Sequence, residues 1–431
     1  MVAFPPKPSD DRFASGPTRK IPNWSASEID VDAIGRSHRS LKGLSLIARL
    51  LASLRDVLHI PPAYELALIN GGTTGAMEFL LWNLLGDAPV DVFAAGVFGE
   101  HWMRDVRDEL KVRPVCCMTA PIGALPDFSR YDARHDCVFV MSETPSGTVV
   151  PSLDWVARPD YWPGGPAGAE AEAEAEAEAE ASVGLGESVL GSVGSGRSGG
   201  APYDAAPDGL VIGDITSSVF CEAIPWQKLD AASFSFQKGI GGEGGLGVAV
   251  LAPRAIARME ARAPSWPVPR LYRPPICCVD GKRRICSEFF AGSSINTISL
   301  LTVSDMLLAL AWAKNLGGME RLQQRVKNNY NVAAEWVHNT PWADFLVKDE
   351  AIRAKNVLCI TVSHNERTVD WAFLKKMVAF LEENGVDAGI LNHPNSCPSL
   401  RVWLGPVVEE EDVRRLLLWV DAAYTHVATG D

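Results

Sequence analysis

The chain has no apolar run long enough to cross a bilayer, and its first twenty residues, MVAFPPKPSDDRFASGPTRK, lack the hydrophobic stretch of a secretory signal. Residues 1–20 read as an irregular arm, and a cytoplasmic protein is expected. CxxC and Cys/His ligand spacings are missing too. The nine cysteines include the neighbours Cys116-Cys117 and Cys277-Cys278, but nothing marks them as a metal set, so reduced, mostly structural thiols and no metal are expected. The phosphate-loop pattern GxxxxGK[ST] is absent, and so is any internal repeat. No excess of basic charge exists to attract nucleic acid.

The net charge is −13, but residues 164–209 hold seven Glu, two Asp and one Arg, a net of −8, which leaves −5 for everything else. That segment is low-complexity: AEAEAEAEAEAEA is followed by GLGESVLGSVGSGRSGG. Ala and Glu are poor strand formers, and a strand of them would place every carboxylate on one face. The segment reads as an insertion into a surface loop, where added length costs little.

The remainder alternates short apolar runs with helical patterns. LSLIARLLASLRDVL (44–58) has helical period and stops before Pro61-Pro62. LALIN (66–70), VDVFAAG (90–96), VRPVCCM (112–118), CVFVM (137–141) and LVIGD (210–214) read as strands, with AMEFLLWNLL as a helix after the first. This β-then-α rhythm predicts an α/β fold with a mainly parallel sheet between helices. A long helix around TVSDMLLALAWAKNLGG ends on Gly317-Gly318. Beyond it a polar helix opens a second α/β set, so the predicted domains are 21–316 and 317–431.

In open α/β sheets, ligands bind beyond the carboxyl ends of the strands. Three predicted strand ends carry polar residues. Asn70-Gly71-Gly72-Thr73-Thr74-Gly75 opens a helix, as a cradle of backbone N–H groups for a phosphate would; by itself it is also an ordinary turn. Asp214 closes a strand, where an N-cap is the plain alternative. Gln237-Lys238 ends SFSFQK and precedes the glycine-rich IGGEGGLG, in which glycines would let the chain pass close to something bulky. One ligand with a phosphate, a ring nitrogen that needs an acid and an amine-reactive carbonyl would use all three. Pyridoxal phosphate is such a ligand.

Taken with GRSHRS, GVFGEHW, GDITSSVF, INTISL and SLRVW in that order along the sequence, these pieces resemble the phosphoserine aminotransferases, of the fold-type-I pyridoxal-phosphate superfamily, in the longer branch found in some proteobacteria and archaea. The resemblance runs from about Ser15 to Tyr424, apart from the insertion. It implies a seven-stranded, mainly parallel sheet in a large domain, a smaller C-terminal α/β domain, and a homodimer with shared active sites.

Residue by residue, the resemblance implies that Lys238 is the Schiff-base lysine and proton shuttle and that Asp214 partners the pyridine nitrogen. Thr74, Gly75 and Gln237 match phosphate-binding positions. Thr144, in SETPSG, matches a threonine at the cofactor's phenolic oxygen or ring edge. Asn296 and Thr297 match a pair that reaches the partner subunit's phosphate site. Phe98 matches the aromatic residue stacked on the ring, with Trp102, one helical turn on, left to packing. Arg401 matches the arginine that holds the substrate's α-carboxylate, while His38 and Arg39 match a pair that binds its phosphate.

One departure stands out. Relatives often carry a further arginine or His-Arg pair before the last strand, where this chain has LNHPNSCPSL, with His393 and no arginine. Arg19, Lys20 and Arg36 are the cations available to compensate. The expected activity is amino transfer from glutamate to 3-phosphohydroxypyruvate in serine biosynthesis. The alternatives are a serine–pyruvate or alanine–glyoxylate type of aminotransferase, which would need no dianion site, a cysteine desulfurase with Cys397 as the thiol to check, or a catalytically silent protein of the same fold.

Overall fold

The computed structural model describes residues 4–156 and 209–430. The acidic insertion predicted at 164–209 lies outside the described residues, Gly209 excepted.

The first long helix, α1 (Leu41–Val57), forms because Leu46, Ile47, Leu50, Leu54 and Val57 recur on one face and are buried, while the Ser40 hydroxyl caps it by accepting the Gly43 N–H at 3.1 Å. Strand β1 (Glu65–Asn70) follows, then α2 (Gly72–Leu84), β2 (Val90–Ala94) and α3 (Val97–Arg104). Next come β3 (Val115–Thr119), β4 (Asp136–Val140), the short pair β5 (Ser142–Glu143) and β6 (Thr148–Val149), β7 (Val211–Asp214), β8 (Ala231–Ser235) and β9 (Leu246–Leu251). Seven of these strands make one sheet, in the order β1-β9-β8-β7-β4-β2-β3. Only β9 runs antiparallel to its neighbours; the other six strands point the same way. The residues of β2, β4, β7 and β8 are buried throughout, as expected for strands covered by helices on both faces. The seven-stranded, mainly parallel sheet is the one anticipated above.

An exposed hairpin, β10 (Ile276–Val279) with β11 (Lys282–Ile285), precedes the paired helices Leu300–Leu316 and Gly318–Asn339, which meet at Gly317. A second, antiparallel sheet comprises β12 (Ala343–Phe345), β13 (Val357–His364), β14 (Arg367–Thr368) and β15 (Leu400–Trp403). Helices Trp371–Glu383 and Glu410–Thr429 contribute to the apolar cluster built on it. Among the described residues no helix is long and apolar enough to cross a membrane.

The N-terminal arm is tied into both halves. Its Phe13 N–H donates to the Ala388 carbonyl and its carbonyl accepts from Trp403 N–H, both at 3.0 Å, so Phe13 belongs to the second apolar cluster. Arg19 is buried and donates to Asp412 Oδ2 at 2.8 Å. Farther along, the Thr18 N–H donates to the Gln237 carbonyl at 2.9 Å and its hydroxyl to the Lys238 carbonyl at 2.7 Å.

Candidate active site

The carboxyl ends of β1, β4, β7 and β8 surround a cavity of about 610 Å3 lined by Gly71, Thr74, Phe98, Asp214, Gln237 and Lys238, among others. The turn between β1 and α2 reaches it because Gly71 (φ 101°) and Gly72 (φ 63°) take left-handed backbone that a side chain would strain. Their N–H groups both donate to the Gly245 carbonyl, at 3.0 and 3.1 Å. Thr74 lines the cavity; Gly75 lies one residue deeper, where a Cβ would stand 2.1 Å from the Asn70 carbonyl oxygen. Gln237 is fixed at the cavity edge, its Oε1 accepting from Ser235 Oγ at 2.5 Å.

Lys238 is buried, and its Nζ donates to Thr144 Oγ1 at 3.1 Å and sits 5.6 Å from the centre of the Phe98 ring. Burial first, then the positive charge of Arg401, lowers the pKa of this amine to about 8, while Asp214 and Glu143 oppose that shift. Asp214 is also buried. Its Oδ1 accepts the Thr216 N–H at 3.0 Å and its Oδ2 the indole N–H of Trp102 at 3.1 Å. Desolvation pushes its pKa up, and those hydrogen bonds and Lys238 pull it back.

Arg401 enters from β15. Its neighbour in register is Cys359, whose Sγ donates to the Thr144 carbonyl at 3.5 Å. The Arg401 guanidinium is near enough to Lys238 for the charge to act on that amine. Its Nε is buried without a hydrogen-bond partner, and among the described residues Arg401 makes no ion pair. An unpartnered, largely desolvated cation beside a buried amine calls for an anion.

Lys238, Asp214, Phe98, Thr74 and Gln237 thus line one cavity, with Gly75 packed just behind, Thr144 bonded to Lys238 Nζ, and Arg401 near enough for its charge to act on Lys238. His38, Arg39, Asn296 and Thr297 do not line this cavity. They gather instead at the segment 294–297, where Arg39 Nη2 donates to the Ser294 carbonyl at 2.7 Å and Asn296 and Thr297 are exposed. His38 is buried, with neither ring nitrogen in a hydrogen bond; burial and the Arg39 charge lower its pKa.

Three readings change. Trp102, assigned to packing, directly holds Asp214. The glycines after Lys238 mostly admit protein: a Cβ on Gly239 would meet the Val219 carbonyl, one on Gly241 the Arg19 carbonyl at 2.1 Å, and one on Gly247 the Gly72 carbonyl at 2.2 Å, so only Gly245 lines the cavity. Arg19 and Lys20 are committed elsewhere, Arg19 to Asp412 and Lys20 to Asp305 and Glu243, and cannot replace the arginine lacking near His393. His393 itself is close enough to Arg401 for that charge, after burial, to lower its pKa. Sequence reasoning also passed over Gly16, in the arm, where a Cβ would lie 3.3 Å from Lys238 Cε.

No protein-family model matches the chain. A phosphoserine aminotransferase from Methanosarcina mazei is 32% identical over 417 residues, covering 97% of both chains. Among solved structures, a phosphoserine aminotransferase from Cytophaga hutchinsonii superposes with a TM-score of 0.69 at 15% identity, covering 96% of this chain and 99% of that one. An aspartate aminotransferase from Thermus thermophilus follows at TM-score 0.67 and 19% identity, covering 97% and 100%.

Proposed function

The chain belongs to the phosphoserine aminotransferase family, and from that premise we propose that it transfers the amino group of L-glutamate to 3-phosphohydroxypyruvate, yielding 2-oxoglutarate and O-phospho-L-serine in serine biosynthesis. The observation that carries this reading is that Lys238 and Asp214 line one cavity with the Gly71–Thr74 turn, with the unpaired Arg401 near enough for its charge to act on Lys238. Pyridoxal phosphate fits that cavity by its chemistry: a cradle of glycines and hydroxyls at one end, a buried carboxylate at another, and an amine of lowered pKa between. When bound it supplies a ring that withdraws electrons from the amino acid's Cα.

The protein's own groups do the rest. Thr74, Gln237 and the Thr73 and Thr74 amides in the first turn of α2 would hold the phosphate, with Gly75 allowing the turn's close packing. Asp214, whose ionised form the Thr216 and Trp102 hydrogen bonds favour against burial, would accept a hydrogen bond from a protonated ring nitrogen. Phe98 would pack against the bound ring, and Thr144 holds Lys238 Nζ in place. Partly neutral near pH 8, Nζ serves as nucleophile and as the base that moves the Cα proton. Arg401 receives the α-carboxylate.

His38, Arg39, Asn296 and Thr297 complete the site across a homodimer, His38 and Arg39 binding the distal phosphate. Exposed apolar residues around them, Val31, Ile34, Leu41, Leu44, Ile295 and Leu301, support burial of this face against a second copy. The large domain is 21–316 and the small one 317–431, and the protein works in the cytoplasm.

Assaying the purified protein with glutamate and either 3-phosphohydroxypyruvate or unphosphorylated hydroxypyruvate tests the function. The phosphorylated acceptor is preferred by tenfold or more, on the order of one charged hydrogen bond. Equal use of both would favour a serine–pyruvate type of enzyme.

A further inference from the structure

Glu143 is a buried carboxylate that these roles leave unused. It ends β5, beside Thr144, and is 1% exposed. Its Oε1 accepts the Phe98 N–H at 2.6 Å and its Oε2 the Gly99 N–H at 3.3 Å, so the charge sits on the first turn of α3. Among the described residues no lysine or arginine pairs with it. Gly96 makes the room: a Cβ there would stand 2.6 Å from Glu143 Cγ.

The helix held in this way carries two site residues, Phe98 in its first turn and Trp102 one turn later. Phe98 faces Lys238 and Trp102 donates to Asp214. A carboxylate bound to backbone amides fixes both the position of the helix and its rotation about its axis. Glu143 also acts through space. Burial pushes its pKa up to about 7, with Asp214 adding to the rise and Lys238 opposing it, and its negative charge in turn favours the protonated Lys238 amine.

We propose that Glu143 is a positioning residue of the cofactor pocket: its carboxylate locks α3 so that Phe98 and Trp102 meet Lys238 and Asp214, and it places a negative charge one residue from Thr144, the hydroxyl that holds Lys238 Nζ. This rests on the pyridoxal phosphate reading above.

The test uses full-length wild type, Glu143→Gln and Glu143→Ala. Pyridoxal phosphate affinity is measured by equilibrium dialysis. In cofactor-free protein, the pH at which Lys238 becomes reactive toward an amine reagent is followed by peptide mapping. Glu143→Ala removes both acceptors and weakens affinity about 10- to 100-fold. Glu143→Gln keeps one acceptor and the shape, and weakens it less than about tenfold. The glutamine variant moves the onset of Lys238 reactivity to lower pH, because an anion that favours the protonated amine is gone; a purely structural role would not move it. An unchanged onset in Glu143→Gln, or wild-type affinity in Glu143→Ala, overturns the proposal. If Glu143→Ala does not fold, the glutamine onset still decides. Failure of wild type itself to bind pyridoxal phosphate would instead overturn the functional reading.

Discussion

The indole N–H of Trp102 and the backbone N–H of Thr216 hold the two oxygens of Asp214 separately, at 3.1 and 3.0 Å. A carboxylate cut off from water stays ionised only with such donors, since burial alone favours its neutral form. Trp102→Phe keeps the ring and removes one donor. The Asp214 pKa then rises further, and the acid limb of kcat/KM moves to higher pH. Cofactor affinity falls about tenfold or more, the scale of one hydrogen bond to a charged group. An acid limb and a dissociation constant identical to wild type would show that the bond carries no function.

Lys238→Ala removes the amine and leaves a small cavity. The variant folds, loses the visible absorbance of the cofactor-loaded protein and turns over no amino acid. A borohydride-stable cofactor adduct at another lysine would move the nucleophile elsewhere.

Arg401 lowers the Lys238 pKa because like charges disfavour each other's protonated form. Removing the cation therefore raises that pKa. In cofactor-free Arg401→Gln, reactivity of Lys238 toward an amine reagent begins at higher pH than in wild type, where it begins near pH 8. A shift to lower pH would mean that Arg401 does not face Lys238.

Arg401 and Arg39 separate by substrate. Arg401→Ala penalises every amino donor and acceptor, since all carry an α-carboxylate. Arg39→Ala depresses kcat/KM for 3-phosphohydroxypyruvate about 10- to 100-fold and leaves alanine, already poor, nearly unchanged. Equal losses for alanine and the phosphorylated acceptor in Arg39→Ala would misplace the phosphate site.

Arg19 and Asp412 form a buried pair, their side chains 3% and 2% exposed. Breaking such a pair from one side strands the other charge and costs about 3–5 kcal/mol. Asp412→Ala should lower the unfolding free energy by that order in a denaturant titration, while Arg19→Met with Asp412→Leu costs less than Asp412→Ala alone. Equal losses in the single and double variants would locate the effect in packing.

Much of this was legible in one dimension because each polar residue that ends an apolar run is conspicuous. Asp214 after LVIG and Lys238 after SFSFQ stand out against buried strands, and the β-then-α rhythm predicts the sheet. Trp102 was not legible. An aromatic residue one turn after another on a helix has the spacing of core packing, and the acceptor of its N–H lies 112 positions away. Glu143 hid for a related reason: in SETPSG the hydroxyl draws the eye, and the amides the carboxylate binds are 45 and 44 residues upstream. The glycines after Lys238 show the limit of composition, which says that something comes close but not what. At Gly241 it is the chain's own Arg19.

The arm also constrains how the protein is made. Ser9 and Arg19 are made well before their common acceptor, Asp412, which is 403 and 393 residues later. Phe13 likewise waits for Trp403. Synthesis runs in one direction, so the segment that crosses Lys238 can meet Gln237 and Lys238 first but lacks its remaining anchors until Trp403 and Asp412 have emerged. A nascent chain can assemble most of its large sheet early, but the arm over Lys238 is fully anchored only after the second sheet and the helix that carries Asp412 have been made. The two sheets are thereby coupled through the arm, and a product truncated before Asp412 would leave the arm with fewer anchors.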